Sequence, residues 1–294
     1  MLPVRKAVIP AAGFGTRFLP ATKSVPKELL PIVDTPVLQY VVEEAVASGI
    51  TDILLVISRT KRAIEEHFDR NAELERELEL KGKLEALEAV RRPAGLASIQ
   101  YVWQPEMRGL GDAIRLGRTF VGDEPFAILL GDTLLESTCD RPVLRQLLDV
   151  RDARGGSVIA LEEVPLEKVS RYGVIDGPLD ADGVVTVRGL VEKPKPEEAP
   201  SRRVIASRYV LEPGIFECLD RTPPGKGGEI QLTDAMKLLL QSGAAMSGCM
   251  IRGLRHDAGN KLDYIKTNIH YGLQRPDIRD GLLDYLRKVV RECE

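Results

Sequence analysis

Cysteine is scarce in this chain and poorly spaced for chemistry. The four cysteines, at 139, 218, 249 and 293, form no C-x-x-C pair, and no histidine stands close enough to complete a zinc signature. In a chain of 294 residues so few thiols read as reduced, and the expected compartment is the cytoplasm. Aromatic residues make up 5%, with Trp103 the one tryptophan, too few for a base-stacking surface. The formal net charge of -3 gives no basic field, so nucleic acid is not an expected partner. No apolar run reaches about 18 residues, so no membrane span is expected. The start, MLPVRKAVIP, has no signal-type apolar stretch. There is no G-x-S-x-G elbow and no cysteine in an activating neighbourhood, which argues against a covalent nucleophile.

Two nucleotide motifs are also missing. A glycine-rich turn follows the apolar run AVIP, in AAGFGTRFLPATKSVPKELLPI (residues 11–32), but Phe18 stands where a G-x-G-x-x-G fingerprint needs its third glycine. The G-x-x-x-x-G-K-[ST] pattern of a P-loop is absent.

What the chain has is an ordinary globular balance, 44% hydrophobic and 29% charged. Short apolar runs predict strands at 6–11, 52–58, 98–104, 125–132 and 156–164. Between them, apolar spacing of three and four predicts helices at 36–49, closing at Gly49, and at 111–121, with Asp112 as N-cap. This rhythm predicts an α/β fold: a Rossmann-like, mixed, mostly parallel sheet flanked by helices. Shorter strands follow in a smaller β portion, then a helix at 229–243 and a helical tail from about Tyr264. The charged stretch 65–92 predicts solvated helix, with Leu74, Leu78, Leu84 and Leu87 packed on the body. The expected organisation is one domain over 1–294: a nucleotide-binding half (4–160), a sugar-phosphate half (161–260) and a tail (261–294).

The residues at the predicted strand ends are chemically pointed. Glycine amides and the cations Arg17, Lys23 and Lys27 suit phosphate oxygens, or else make a solvated surface turn. Asp132, ending a buried run, suits a hard cation beside phosphates, or is a turn aspartate. The Gln104 amide can pair with both the N–H and the carbonyl of a uracil, or only with water. Glu192 and Lys193 end another strand. Strand alternation makes a mutual ion pair an unobvious role for them, which leaves a cleft or an exposed end. His67, His256 and His270 are dispersed and none reads as catalytic; His256 is expected to support Asp257.

The spacing G-x-G-T-R, P-x-T-K, P-K-E in residues 13–28 resembles the signature of the nucleotidyltransferases that join a nucleoside triphosphate to a sugar 1-phosphate. The likeness continues through QPEMRGLGDAI (104–114), LLGDTLLE (129–136), RYGVID (171–176), ASRYVLEPGIF (206–216) and HDAGNKLDY (256–264), and spans about residues 4–270. LVEKPKPEEAPS (190–201) and GEIQLTDA (228–235) resemble the branch that uses UTP and glucose 1-phosphate. The resemblance implies synthesis of UDP-glucose and pyrophosphate, with Mg2+ as cofactor, by a homo-oligomer, dimer or tetramer. It implies that Ala11, Ala12 and Gly13 hold base and ribose, that Arg17 and Lys27 face the triphosphate, and that Gln104 and Gly109 read the pyrimidine. It further implies that Gly173, Glu192 and Lys193 hold the sugar phosphate, and that Asp132 and Asp257 are the metal carboxylates. The chain departs from many relatives at Thr133, where a bulkier or acidic residue is expected. Readings that compete with UTP are the same transfer with dTTP and a non-catalytic nucleotide-sugar sensor.

Overall fold

A computed structural model describes residues 2–293. Its strands are β1 (Lys6–Pro10), β2 (Pro31–Ile32), β3 (Thr35–Pro36), β4 (Asp52–Ile57), β5 (Ser98–Trp103), β6 (Phe126–Leu129), β7 (Thr133–Ser137), β8 (Ser157–Glu163), β9 (Gly173–Asp176), β10 (Val184–Thr186), β11 (Gly189–Glu192), β12 (Arg203–Leu211), β13 (Met246–Met250) and β14 (Gly253–Asp257). Among the described residues ten of these form one sheet, whose main path runs β10-β13-β8-β12-β6-β1-β4-β5. β1 is parallel to β4 and β6, and β4 to β5. β12 runs antiparallel to both β6 and β8, so β8 points the same way as β6; β13 is parallel to β8. The fold is therefore mixed and mostly parallel, as the apolar runs imply. A β7–β14 ribbon and a β2–β3 hairpin stand apart from this sheet.

Alternation along the strands explains the two packed faces. Val8, Leu54, Val56, Phe126 and Ile128 lie on one side, under the helices Leu110–Arg115, Ile215–Arg221 and Leu232–Gln241. Ala7, Ile9, Ile53, Leu55, Ala127 and Leu129 lie on the other, under Val37–Ala47 and Val143–Arg154. A buried ion pair, Arg208 to Glu44 at 2.6 Å, fastens β12 to the helix Val37–Ala47, and Arg208 also donates to the Thr133 carbonyl at 2.9 Å.

Three local expectations change. The predicted helix 111–121 is two pieces, Leu110–Arg115 and Arg118–Val121, and starts before Asp112. Asp112 is thus inside the first turn, and its buried carboxylate serves side chains instead of capping. The stretch 65–92 takes in the end of the helix Arg62–Phe68 and then the helices Ala72–Leu80 and Leu84–Arg91, the last two linked by Glu75, which accepts from both Arg70 and Arg91. That link turns Leu74 and Leu84 to solvent, whereas Leu87 is buried. The tail is two helices, Lys261–Gln274 and Arg279–Cys293.

Candidate active site

Ligands of open α/β sheets gather beyond the strands' carboxyl ends. Here Ala11–Gly13, Ser58–Lys61, Gln104 and Asp132 follow directly on or just after β1, β4, β5 and β6. A cleft of about 290 Å³ opens there, lined by Ala12, Gly13, Lys27, Glu28, Gln104, Met107, Gly109, Leu110, Asp132 and Glu229, among others. It brings together most of the predicted nucleotide-side residues. Ala11 sits just behind, its N–H bonded to the Val56 carbonyl at 2.8 Å.

The segment after Gly15 is not a helix but three short 3₁₀ turns, Thr16–Phe18, Ala21–Lys23 and Lys27–Leu29. Phe18, the residue that breaks the dinucleotide fingerprint, packs edge-on against Tyr264 of the helix Lys261–Gln274, with ring centroids 5.5 Å apart. The cationic loop is thereby anchored to the C-terminal part of the chain.

The cleft floor carries a chain of buried charges. Lys61 is 5% exposed and donates at 2.6 Å both to the Ala11 carbonyl and to Glu28, itself 1% exposed. Lys27 forms a close ion pair with Asp132 and stands 3.9 Å from Glu28. Burial pushes the Glu28 carboxyl above its usual range, against the pull of Lys61 and Lys27. Burial would raise Asp132 as well, but the Lys27 ammonium, its hydrogen bond and Arg17 outweigh it and hold this carboxyl below its usual range. Lys27 is in turn raised: burial opposes its charge, and Asp132 and Glu28 more than offset that cost. Lys61 and Glu28 escaped the sequence reading; the one visible signal was Glu28 within P-K-E.

Gln104 is 5% exposed, and its Nε2 donates to Asp112 Oδ2 at 2.9 Å; Asp112 Oδ1 accepts from Arg115 at 2.7 Å. The partner is a carboxylate, so the amide nitrogen must face it. The amide oxygen is left on the other side.

Asp257, the last residue of β14, meets Asp132 around Gly259. Asp257 Oδ1 accepts from the Gly259 N–H at 2.8 Å, and Arg17 donates to the Gly259 carbonyl at 3.3 Å. A Cβ at Gly259 would stand 2.8 Å from Asp257 Oδ1, 3.5 Å from Asp132 Oδ2 and 3.6 Å from Arg17 Nη1. Arg17, Asp132 and Asp257, far apart in sequence, thus share one corner. Thr133 supplies little there: its hydroxyl is 3.5 Å from Asp132 Oδ1. His256 does not support Asp257. Successive residues of β14 face opposite sides, and His256 turns away to Glu136, 3.1 Å off. His67 lies on the helix Arg62–Phe68, bonded to Gln39 at 3.0 Å.

Gly173, Glu192 and Lys193 form a separate group outside that cleft's lining. Gly173 pairs with Glu192 across β9 and β11. Glu192 Oε2 accepts from the Thr233 hydroxyl at 2.8 Å, and a Cβ at Gly173 would stand 3.1 Å from that hydroxyl and 3.3 Å from the carboxylate. Contrary to the alternation argument, Lys193 does pair with Glu192, at 3.0 Å. The strand ends at Glu192, and Lys193 takes φ 46, a left-handed turn that swings both side chains to one side. Thr233, in the stretch GEIQLTDA, was not singled out by the sequence.

Comparison with known proteins agrees with this architecture. The nucleotidyl transferase family profile matches residues 6–272. Two Bacillus subtilis (strain 168) proteins named UTP–glucose-1-phosphate uridylyltransferase are 50% and 48% identical, the first over 98% of this chain and 96% of its own, the second over 100% of both. A solved UDP-glucose pyrophosphorylase complexed with UDP-glucose is 41% identical, with TM-score 0.85 over 92% of this chain and 100% of that one. A UTP-bound UGPase from Acinetobacter baumannii is 37% identical, with TM-score 0.89 over 99% and 100%. With the fold, the loop and full-length likeness all in agreement, the chain belongs to the nucleotidyl transferase family.

Proposed function

We propose that this protein joins UTP and glucose 1-phosphate to give UDP-glucose and pyrophosphate. The observation that carries the reading is a single cleft at the sheet's carboxyl edge that combines a fixed amide, Gln104, with the cation–carboxylate pair Lys27–Asp132. The names of the full-length relatives support uridylyl over thymidylyl transfer and over a sensor role.

In this reading the base stands against Gln104 and Gly109, with Ala11, Ala12 and Gly13 carrying base and ribose on backbone groups. An amide oxygen turned to the ligand accepts from the N3–H of uracil. Cytosine offers an acceptor there, and two facing acceptors leave a buried group unpaired. Arg17 and Lys27 neutralise the triphosphate. Gly173, Glu192 and Lys193 hold the sugar phosphate, Lys193 by charge and Glu192, with Thr233, by sugar hydroxyls. The phosphate oxygen of glucose 1-phosphate is already an anion and needs no base. It attacks the α-phosphorus of UTP in line; a new P–O bond forms as the bond to pyrophosphate breaks. The protein's part is to position both reactants and neutralise charge.

The donor set at Gly259 fits Mg2+: two carboxylates, Asp132 and Asp257, converge there, and this ion is usually held by one or two carboxylates with substrate phosphates and water. When bound it would supply charge stabilisation to the reacting phosphates. Among the described residues no helix is long and apolar enough to cross a membrane, and unpaired cysteines suit a reducing compartment such as the cytoplasm. A homo-oligomer remains part of the proposal.

The test is pyrophosphate release with glucose 1-phosphate and each of UTP, dTTP, CTP, ATP and GTP. The expected order is UTP above dTTP, with the other three far below. Higher kcat/KM for dTTP would overturn the uridylyl assignment, and no release with any triphosphate would overturn the transfer itself.

A further inference from the structure

We propose that Glu136, His256 and His270 form a binding site for a borderline divalent transition-metal ion of the Zn2+ class, clipping the helix Lys261–Gln274 to the β7–β14 ribbon. The three come from three segments. In the ribbon's register Glu136 pairs with Leu254, two residues from His256, so both side chains stand on one face. His270 reaches them from the helix Lys261–Gln274. Glu136 Oε2 is 3.1 Å from His256 Nε2 and 2.6 Å from His270 Nε2, and the three ligand atoms lie within 4.8 Å of one another.

The donor chemistry selects the ion. Two imidazole nitrogens and one carboxylate oxygen suit zinc, cobalt or nickel, whereas magnesium and calcium prefer oxygen alone. Bonds of about 2.0–2.1 Å in a tetrahedron put neighbouring ligand atoms roughly 3.3 Å apart. The two carboxylate–imidazole spacings fall short of that by less than 1 Å and the two imidazoles lie within 4.8 Å of each other, so side-chain rotations would have to open the first two and set the third. The surroundings are built as an outer shell. Gln274, one turn beyond His270, donates to the other carboxylate oxygen at 2.8 Å and also stands 3.0 Å from His270 Nε2, a contact an incoming ion would displace while the carboxylate bond keeps Oε2 as the ligand atom. Tyr271 stands edge-on to both imidazoles, with centroids 5.5 and 5.7 Å away, which restrains the ring planes. Glu136 and His270 are part-exposed, which leaves a fourth position for water.

The site is distinct from the carboxylate corner, since Asp257 faces the other side of the ribbon from His256. Yet β7 starts just after Asp132 and β14 ends on Asp257, so an ion here steadies the ribbon that carries both.

The experiment is calorimetric titration of the chelator-stripped full-length protein with ZnCl2, with millimolar Mg2+ present to occupy the hard-oxygen corner. One Zn2+ per chain with micromolar or tighter Kd is expected, along with a higher melting temperature. His270→Ala should weaken binding at least about tenfold and lose the melting shift. Glu136→Gln, which keeps a hydrogen-bonding group in place, should melt near wild type without zinc and also lose the zinc response. Failure of the wild type to bind at about 100 μM, or zinc responses unchanged in the two variants, would overturn the site.

Discussion

Gln104 Nε2 lies 2.9 Å from Asp112 Oδ2 and more loosely, at 3.4 Å, from the Gly109 carbonyl, and the shorter of these bonds, to a carboxylate, does most to decide which end of the amide faces the cleft. Arg115 holds the far oxygen of the same carboxylate, so the amide cannot turn over without stranding a buried group. Asp112→Ala is expected to lower the UTP-to-CTP ratio of kcat/KM by at least about tenfold, about 1.4 kcal/mol. Asp112→Asn, whose side-chain oxygen can still accept from Gln104, should retain most of it. Unchanged discrimination in the alanine variant would remove Asp112 from base selection.

Lys61 ties the Ala11 carbonyl to Glu28 in the floor of the cleft. Lys61→Met leaves the buried Glu28 carboxylate with only the more distant Lys27, 3.9 Å away, and is expected to cost up to about 3–5 kcal/mol of stability, read by urea unfolding. Adding Glu28→Gln should recover part of that loss, because the stranded charge is gone. If the double variant is no better than the single, the loss is one of packing.

The two cation groups stand apart, so their kinetic signatures should separate. Lys193→Ala is expected to raise KM for glucose 1-phosphate more than for UTP, and Arg17→Ala to do the reverse. Steady-state kinetics with each substrate varied in turn decides it; equal effects would deny the division.

Asp132→Asn should keep the fold and lower kcat well over tenfold at saturating Mg2+, the loss of a charge interaction worth more than about 1.4 kcal/mol. The same variant tests a pH dependence. The Asp132 carboxyl is lowered in the folded state from its usual 3.8, so its contribution is fully present above that pH and is lost as pH falls through the folded value. The stability gap between wild type and Asp132→Asn should stay flat from neutral pH to about 5 and shrink below 3.8. A gap that widens on acidification would reverse the assigned sign.

Strands were the most legible part of this sequence, because β1, β4 and β6 are buried on both faces and read as unbroken apolar runs. Residues within one motif, such as Arg17 and Lys27, were legible too. Pairings across sequence distance were not: Gly259 meeting Asp132, or Thr233 reaching Glu192, depends on topology that no local pattern carries. Lys61 belongs to none of the motifs read from the sequence, and only the packed floor reveals its two partners. Lys193 misled because alternation holds within a strand and stops where φ turns positive.

The position of β12 in the sheet bears on how the chain is made. During synthesis β6 and β8 emerge with no partner for the gap between them, and they stay so until residues 203–211 arrive from the ribosome. At about 5–20 residues per second the edge of β6 waits on the order of ten seconds, bare and adhesive. The cleft residues that follow β1, β5 and β6 reach solvent long before the strand that locks their sheet. A chain whose synthesis stops between 163 and 203 therefore carries the glycine-rich loop on a sheet with an unpaired edge, open to pairing with other chains.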